Sequence, residues 1–400
     1  MIKVNELFSG IGAFRKAMER LEIPHEIVGI SEIDKYAIKS YEAIYGATRN
    51  YGDISKVDKL DYADLWTYGF PCQDISVAGQ LKGIVRGETR SGLLYEVQRL
   101  LVTSAENNEL PKYLILENVK NLVGKKFKSD FYNWLEWLAC IGYNNYWQVI
   151  NAKDCGIPQN RERVFVVSIR KDIDRGFSFP QPIPLATTMA DFLEDEVDEK
   201  FYITGGYIAS LKKNVSKDTS KPCALGHIPY PRSDKPHQSN TFFDTNAVSP
   251  TLDTCEGGNR QVKIIVASRG RNPENPSNRT VGIKTEQRLE PNSQGICNTL
   301  TSVLKDNYVA EPMALDEQTK YIRINGTVGK IITDGSSPKH NEPNCLIRKL
   351  TPKEYWRLMG FDDSDFEKAE KVCSNSQLYK QAGNSIVVNV LNGILNELLG

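Results

Sequence analysis

The chain runs to 400 residues, with 50 Lys and Arg against 50 Asp and Glu, 40% hydrophobic and 25% charged side chains: a globular composition, long enough for two domains. No apolar run approaches the roughly 18 residues that span a bilayer, and Lys3, Asn5 and Glu6 interrupt the start where a secretory leader would lie, so a cytoplasmic location is expected. Eight scattered cysteines without a Cys-x-x-Cys, and four histidines without metal-ligand spacing, leave neither a disulfide framework nor a metal centre to expect.

Along the first 170 residues, strand-like and helix-like runs alternate. Lys3 to Phe8 reads as a strand entering a glycine-rich turn, and Phe14 to Leu21 has helical spacing. Ile27 to Ile30 is a second apolar strand, ending near Glu32 and followed by a helix over Tyr36 to Tyr45. Asp64 to Gly69 reaches a Pro-Cys turn, and Leu93 to Val102 is amphipathic. Tyr113 to Leu116 is a continuous apolar strand ending at Glu117, Phe131 to Ile141 a helix, and Val164 to Ile169 a buried strand. This alternation predicts an α/β fold: a mostly parallel sheet with helices on both faces. Ligands of such sheets bind at the carboxyl ends of the strands, and Gly10, Glu32, Asp53, Cys72 and Glu117 all fall there.

From about residue 175 the texture changes. Pro180, Pro182 and Pro184 break regularity, and residues 205–345 are dense in Gly, Pro, Asn, Ser and Thr, which predicts short strands and loops. Residues 201–350 hold 20 Lys and Arg against 14 Asp and Glu, a basic stretch that suits a polyanion as well as a solvated loop surface. Ser249 to Thr254 and Cys297 to Ser302 echo each other as two Thr-Leu hairpins, at 251–252 and 299–300. Helix returns at Thr351-Pro352-Lys353-Glu354, where a threonine cap, a proline at the first helical position and an early acid agree. Gln381 to Ser385 precedes a last apolar helix reaching Leu399. The expected domains are 1–178 with 348–400 returning to it, and 179–347.

The chemistry gathers around a few motifs. Pro71 removes a donor and fixes the backbone, presenting Cys72 at a strand-to-loop edge as a candidate nucleophile. Phe8-Ser9-Gly10-Ile11-Gly12, between strand and helix, lets a ligand approach the backbone, with Glu32 as the acid for ribose hydroxyls and no Walker lysine for a phosphate loop. Glu117 follows three apolar residues, with Asn118 beside it to orient it. Arg161 and Arg163 alternate around Glu162 on an extended segment, so one face turns two guanidiniums toward the cleft.

These blocks together resemble the DNA (cytosine-5) methyltransferase family of bacterial and phage type. They are Phe8 to Gly12, Ser31 to Asp34, Gly52 to Ile54, Gly69 to Gln73, Ser91 to Glu96, Glu117 to Val119, Gln159 to Phe165, Arg348 to Phe361 and Gln381 to Ile386, in family order along the whole chain. The resemblance implies a Rossmann-like methyltransferase sheet that uses S-adenosyl-L-methionine, plus a smaller β and loop target-recognition domain. It implies that Cys72 adds to cytosine C6, that Glu117 protonates N3, that Arg163 reaches the cytosine O2 and that Arg161 supports the nucleophile loop. For the cofactor it implies Phe8, Gly10, Ile11, Gly12, Glu32, Ile33, Asp53, Ile54, Pro71, Leu93, Asn384 and Ile386. For DNA it implies Gln73, Ser76, Gln80 and one of Thr251 and Thr299. Ile33 stands where relatives carry a larger residue, and Ala78 where they carry a small polar one. The implied partner is double-stranded DNA, bound by a monomer that a cognate restriction endonuclease accompanies in some systems. Two rivals are a tRNA cytosine-5 methyltransferase, disfavoured by the long interval from Val164 to Lys349, and a catalytically silent DNA-binding regulator, disfavoured by the complete set of reactive residues.

Overall fold

The computed structural model describes residues 1–71, 90–201, 210–211, 218–227, 241–255, 261–271, 286–290, 321–324, 327–332 and 344–400. Contacts divide the chain into two compact units. The first comprises Met1–Ile157, Arg161–Pro184 and Met359–Gly400, and the second Pro158–Asn160 with Leu185–Leu358.

The first unit is built on β1 (Ile2–Leu7), α1 (Ala13–Arg20), β2 (His25–Ser31), α2 (Lys35–Tyr45), β3 (Leu65–Tyr68), α3 (Leu94–Glu106), β4 (Tyr113–Val119), α4 (Lys128–Cys140), β5 (Tyr143–Asn151) and β6 (Glu162–Arg170). Its sheet has the order β2-β1-β3-β4-β6-β5. The first four strands run parallel, and β6 lies antiparallel to both β4 and β5. Alternation along the strands decides which helices cover which face. Leu7, Trp66, Tyr68, Leu114, Leu116, Val164 and Val166 form one core with Leu94, Val97 and Leu101 of α3 and Phe131, Trp134 and Leu138 of α4. The opposite face carries Glu6, whose carboxylate accepts the Tyr41 hydroxyl of α2 at 2.6 Å, so helices cover both faces as the sequence predicts.

Local chemistry explains the helix ends. Asp34 caps α2 by accepting from the Tyr36 and Ala37 amides, and Gly46, at φ +85°, ends it. α1 has no side-chain cap of its own. Glu6 supplies one from β1, accepting the Arg15 amide at 3.0 Å. Gly12, at φ +79°, must be glycine, because a Cβ there would sit 2.6 Å from the Tyr45 ring and 2.7 Å from that of Tyr41.

Sequence periodicity does not reveal β5. It is an edge strand with one neighbour, so Asn144, Asn145 and Gln148 interrupt its apolar pattern without cost to a second ladder.

In the second unit, the described strands β7 (Ser210–Leu211), β8 (Ala224–His227), β9 (Thr241–Phe243), β10 (Lys263–Arg271), β11 (Glu286–Glu290), β12 (Tyr321–Ile324), β13 (Thr327–Ile332) and β14 (Asn344–Lys349) belong to one sheet. α5 (Pro352–Leu358) follows, capped reciprocally: the Glu354 amide donates to Thr351 Oγ1 at 3.2 Å and the Thr351 amide to Glu354 Oε2 at 2.7 Å. Glu354 also takes both arms of the buried Arg348 guanidinium, at 2.7 and 2.8 Å. Thr251 donates to the Asn160 carbonyl, and the amide of buried Leu252 to Gln159 Oε1 at 3.4 Å. The second Thr-Leu hairpin, at 297–302, lies outside the described residues.

The chain then re-enters the first unit as α6 (Asp363–Glu370), α7 (Asn375–Asn384) and α8 (Val388–Leu399). Gln381 to Asn384 forms the last turn of α7 and, as the sequence reading has it, precedes a final apolar helix reaching Leu399. Gly383 has low helix propensity, but it is buried and tertiary contact overrides propensity there. Among the described residues no helix is long and apolar enough to cross a membrane.

Candidate active site

The carboxyl edge of the first unit's sheet opens into a cleft of about 580 Å³, a size usual for small-molecule sites. Strand direction assembles it. Phe8 follows β1, Glu32 follows β2, Gly69 to Pro71 follow β3, and Glu117 to Val119 close β4. Because β6 runs antiparallel to β4, its beginning lies at that same edge, with Arg163 opposite Val119. α7 supplies the remaining wall with Lys380, Gln381, Gly383 and Asn384.

At one end, Glu32 folds its carboxylate over the glycine turn. Oε2 accepts the Gly10 amide at 2.9 Å, and Oε1 accepts the amides of Ile33 and Asp34, each at 2.8 Å. Phe8 holds φ +58°, an uncommon conformation for an aromatic residue, with its amide fixed on the Ser31 carbonyl at 2.7 Å. Gly10, at φ +56°, has no protein atom within 4 Å of where a Cβ would stand. Asp53 caps the turn that follows it through the Ser55 amide, and Ile54 is buried beneath. Ile33 is 71% exposed at the rim, and Lys380 reaches Asp34 across it at 3.2 Å.

At the other end, Glu117 pairs with Arg163, Oε1 to Nε, at 3.2 Å, both side chains largely buried. Burial pushes the Glu117 carboxyl above the ordinary carboxylate range, against the opposing pull of Arg163 and Arg161. Glu162 faces outward and pairs with Lys120 at 2.8 Å, so the Arg-Glu-Arg alternation is realised. Asn118 is buried and donates through Nδ2 to the Phe70 carbonyl at 3.0 Å. Ser91 donates to the Pro71 carbonyl at 2.7 Å. The chain is thus held on both sides just before Cys72.

Of the residues singled out by sequence, Phe8, Gly10, Ile11, Glu32, Ile33, Asp53, Ile54, Pro71, Leu93, Glu117, Asn118, Arg161, Arg163 and Asn384 all line this one cleft. Gly12 packs under α2, and Ile386 sits half-buried between α7 and α8; neither is among the lining residues. Cys72, Gln73, Ser76, Ala78, Gln80 and Thr299 lie outside the described residues. Sequence reasoning missed Lys380, Ser91 and Glu6. Ser91 stands inside a quoted motif, whereas Glu6 and Lys380 carry no signal beyond their neighbours. Among the described residues no three His, Cys, Asp or Glu side chains gather as a metal site.

Comparison with known proteins agrees with this geometry. The profile of the C-5 cytosine-specific DNA methylases matches residues 2–400. The type II methyltransferase M2.ScrFI of Lactococcus lactis subsp. cremoris is 33% identical, with 100% of this chain and 99% of that protein covered. The orphan methyltransferase M.SPBetaI of Bacillus phage SPbeta is also 33% identical, covering 100% and 97%. Among solved structures, S. pombe Dnmt2 methyltransferase superposes with a TM-score of 0.57 at 19% identity, and a putative DNA modification methyltransferase encoded within an E. coli prophage with 0.52 at 18%, each covering 100% of both chains. The fold is therefore that of the methyltransferases that use S-adenosylmethionine. The chain belongs to the C-5 cytosine-specific DNA methylase family and is an enzyme of the DNA (cytosine-5-)-methyltransferase class.

Proposed function

We propose that this enzyme methylates C5 of a cytosine turned out of a specific duplex DNA sequence, through a covalent bond between Cys72 and C6. The observation that carries the reading is the meeting, in one cleft, of the Gly10–Glu32 turn with the Glu117–Arg163 pair, at the end of the strand that leads into Cys72. S-Adenosylmethionine fits the first end. Gly10 leaves open space where a side chain would stand, Glu32 offers a carboxylate for ribose hydroxyls, and Phe8 and Ile54 offer apolar surface for the adenine. When bound, the cofactor supplies an electrophilic methyl group.

The chain's own residues do the rest. Cytosine C5 is a poor nucleophile until a thiolate adds at C6, which makes C5 electron-rich. Charge then builds on the ring, and protonation of N3 relieves it. Glu117, whose burial favours the protonated form, is suited to donate that proton, and Arg163 beside it to hold the ring oxygen O2. Once C5 carries the methyl group, loss of the C5 proton and departure of the Cys72 thiolate restore the aromatic ring. A cytosine within a duplex cannot reach this cleft, so extrusion is required.

Residues 179–347 serve in this reading as the target-recognition domain. The anchoring of Thr251 and Leu252 on Asn160 and Gln159 supports 251–252 as the Thr-Leu element beside the extruded base. Substrate preference for DNA over tRNA is supported by full-length identity to type II and phage methyltransferases. Bisulfite sequencing of DNA from a host expressing only this chain tests the function. Protected cytosines in one recurring sequence, lost with Cys72→Ala, are expected. Fully converted host DNA alongside methylated tRNA would replace the reading with the RNA enzyme.

A further inference from the structure

The resemblance assigns Arg161 to the nucleophile loop, yet its described hydrogen bonds lead elsewhere. Its side chain is buried, 4% exposed, and Nη2 donates to the Gly383 carbonyl at 2.9 Å and the Ser385 carbonyl at 2.8 Å. These carbonyls flank Asn384, the exposed last residue of α7, which lines the cleft and which the resemblance gives to the cofactor. A helix leaves its last carbonyls without intrahelical donors, and a cation there also meets the negative end of the helix dipole. The Ser385 amide donates back to the Gln381 and Ala382 carbonyls at 3.0 and 3.1 Å, and Arg161 takes the next ones. The arginine is itself held firmly. Its amide donates to Asn151 Oδ1 at 3.0 Å, and its carbonyl accepts the Ala152 amide at 3.0 Å. Two residues on, Arg163 faces Glu117.

We infer that Arg161 is a positioning residue for the cofactor: by clasping the carbonyls of Gly383 and Ser385 it fixes Asn384 in the cleft and ties that wall to the strand carrying Arg163. The inference rests on the cofactor reading above. It separates from an electrostatic role, because a lysine keeps the positive charge near Glu117 but is shorter, compact and strongly hydrated, and cannot present the same fork.

The test is calorimetric binding of S-adenosylhomocysteine to the full chain without DNA. Arg161→Lys is expected to weaken binding about tenfold or more, with a larger rise in KM for S-adenosylmethionine than fall in kcat. Asn384→Ala should weaken binding by itself and add little in the Arg161→Lys background, because one segment mediates both effects. If the lysine variant loses its thermal transition, Arg161→Gln, a shorter neutral donor, takes its place in both measurements. Binding within twofold of wild type in a folded variant, or fully additive losses with Asn384→Ala, overturns the inference. No binding by the wild-type chain would instead overturn the cofactor reading, and the inference with it. Covalent trapping of wild type on DNA does not depend on Arg161's role, so it separates failure of this inference from failure of the proposed chemistry.

Discussion

Replacing Glu117 by glutamine keeps the size of the side chain and an oxygen for Arg163, and removes the proton. The 3.2 Å contact with Arg163 and the burial of both groups argue that the cleft survives the change. If Glu117 protonates N3, turnover should fall by roughly 10² to 10⁴, equivalent to about 3 to 5 kcal/mol in the barrier. The pH dependence distinguishes this loss from a steric one. Burial raises the Glu117 carboxyl above the ordinary range, so the group loses its proton only at higher pH than an exposed glutamate. Wild-type activity should therefore decline on the alkaline side as Glu117 ionises, and Glu117→Gln, with no such proton to lose, should lack that limb. Single-turnover transfer of a tritiated methyl group across a pH series measures both effects, and duplex affinity should change little by comparison. A loss smaller than about tenfold, or an alkaline limb unchanged in the variant, would refute the assignment of Glu117 as acid.

Glu6 gives a stability prediction. Burial lifts its carboxyl from the ordinary 4.5 to about 7, against the bonds from Tyr41 and the Arg15 amide. The native state thus holds this proton more tightly than the unfolded chain, and stability should fall as pH rises from about 4.5 to about 7, by on the order of 3 kcal/mol. Urea unfolding of wild type and Glu6→Gln across that window should diverge, and parallel curves would count against it. Glu354→Gln removes the carboxylate that takes both arms of buried Arg348 and should cost about 3 to 5 kcal/mol, read as a lower denaturant midpoint for the second unit; a loss under about 1 kcal/mol would mean the pair is dispensable. Exchanging residues 179–347 for those of a relative with another target should change the methylated sequence while S-adenosylhomocysteine binding persists; an unchanged sequence would put recognition in the first unit.

The central strands were legible because they are buried on both faces and read as continuous apolar runs, as at Leu114 to Leu116 and Val164 to Ile169. β5 was hidden by the freedom an edge strand has to carry asparagines. That Gly383-Asn384 closes a helix of its own carried no local signal, because propensity cannot anticipate a buried arginine that arrives more than 200 residues earlier in the chain. Gly12 shows the same limit from the other side. Its motif suggested ligand contact, yet the rings of Tyr41 and Tyr45 already require a glycine there. Glu6 was invisible as a functional support, since a lone acid in an apolar strand carries no pattern until α2 packs Tyr41 onto it.

The central claim, covalent catalysis by Cys72, is tested most directly with duplex DNA carrying 5-fluorocytosine at the methylated position. Addition of the Cys72 thiolate at C6 and transfer of the methyl group leave a fluorine at C5 that cannot depart as a proton does, so the ring cannot regain aromaticity and release the enzyme. A denaturation-resistant protein–DNA adduct should form only with S-adenosylmethionine present, contain the peptide bearing Cys72, and be absent from a folded Cys72→Ala variant. Methyl transfer to ordinary cytosine by that variant, or by wild type with no adduct on the fluorinated duplex, would contradict the account.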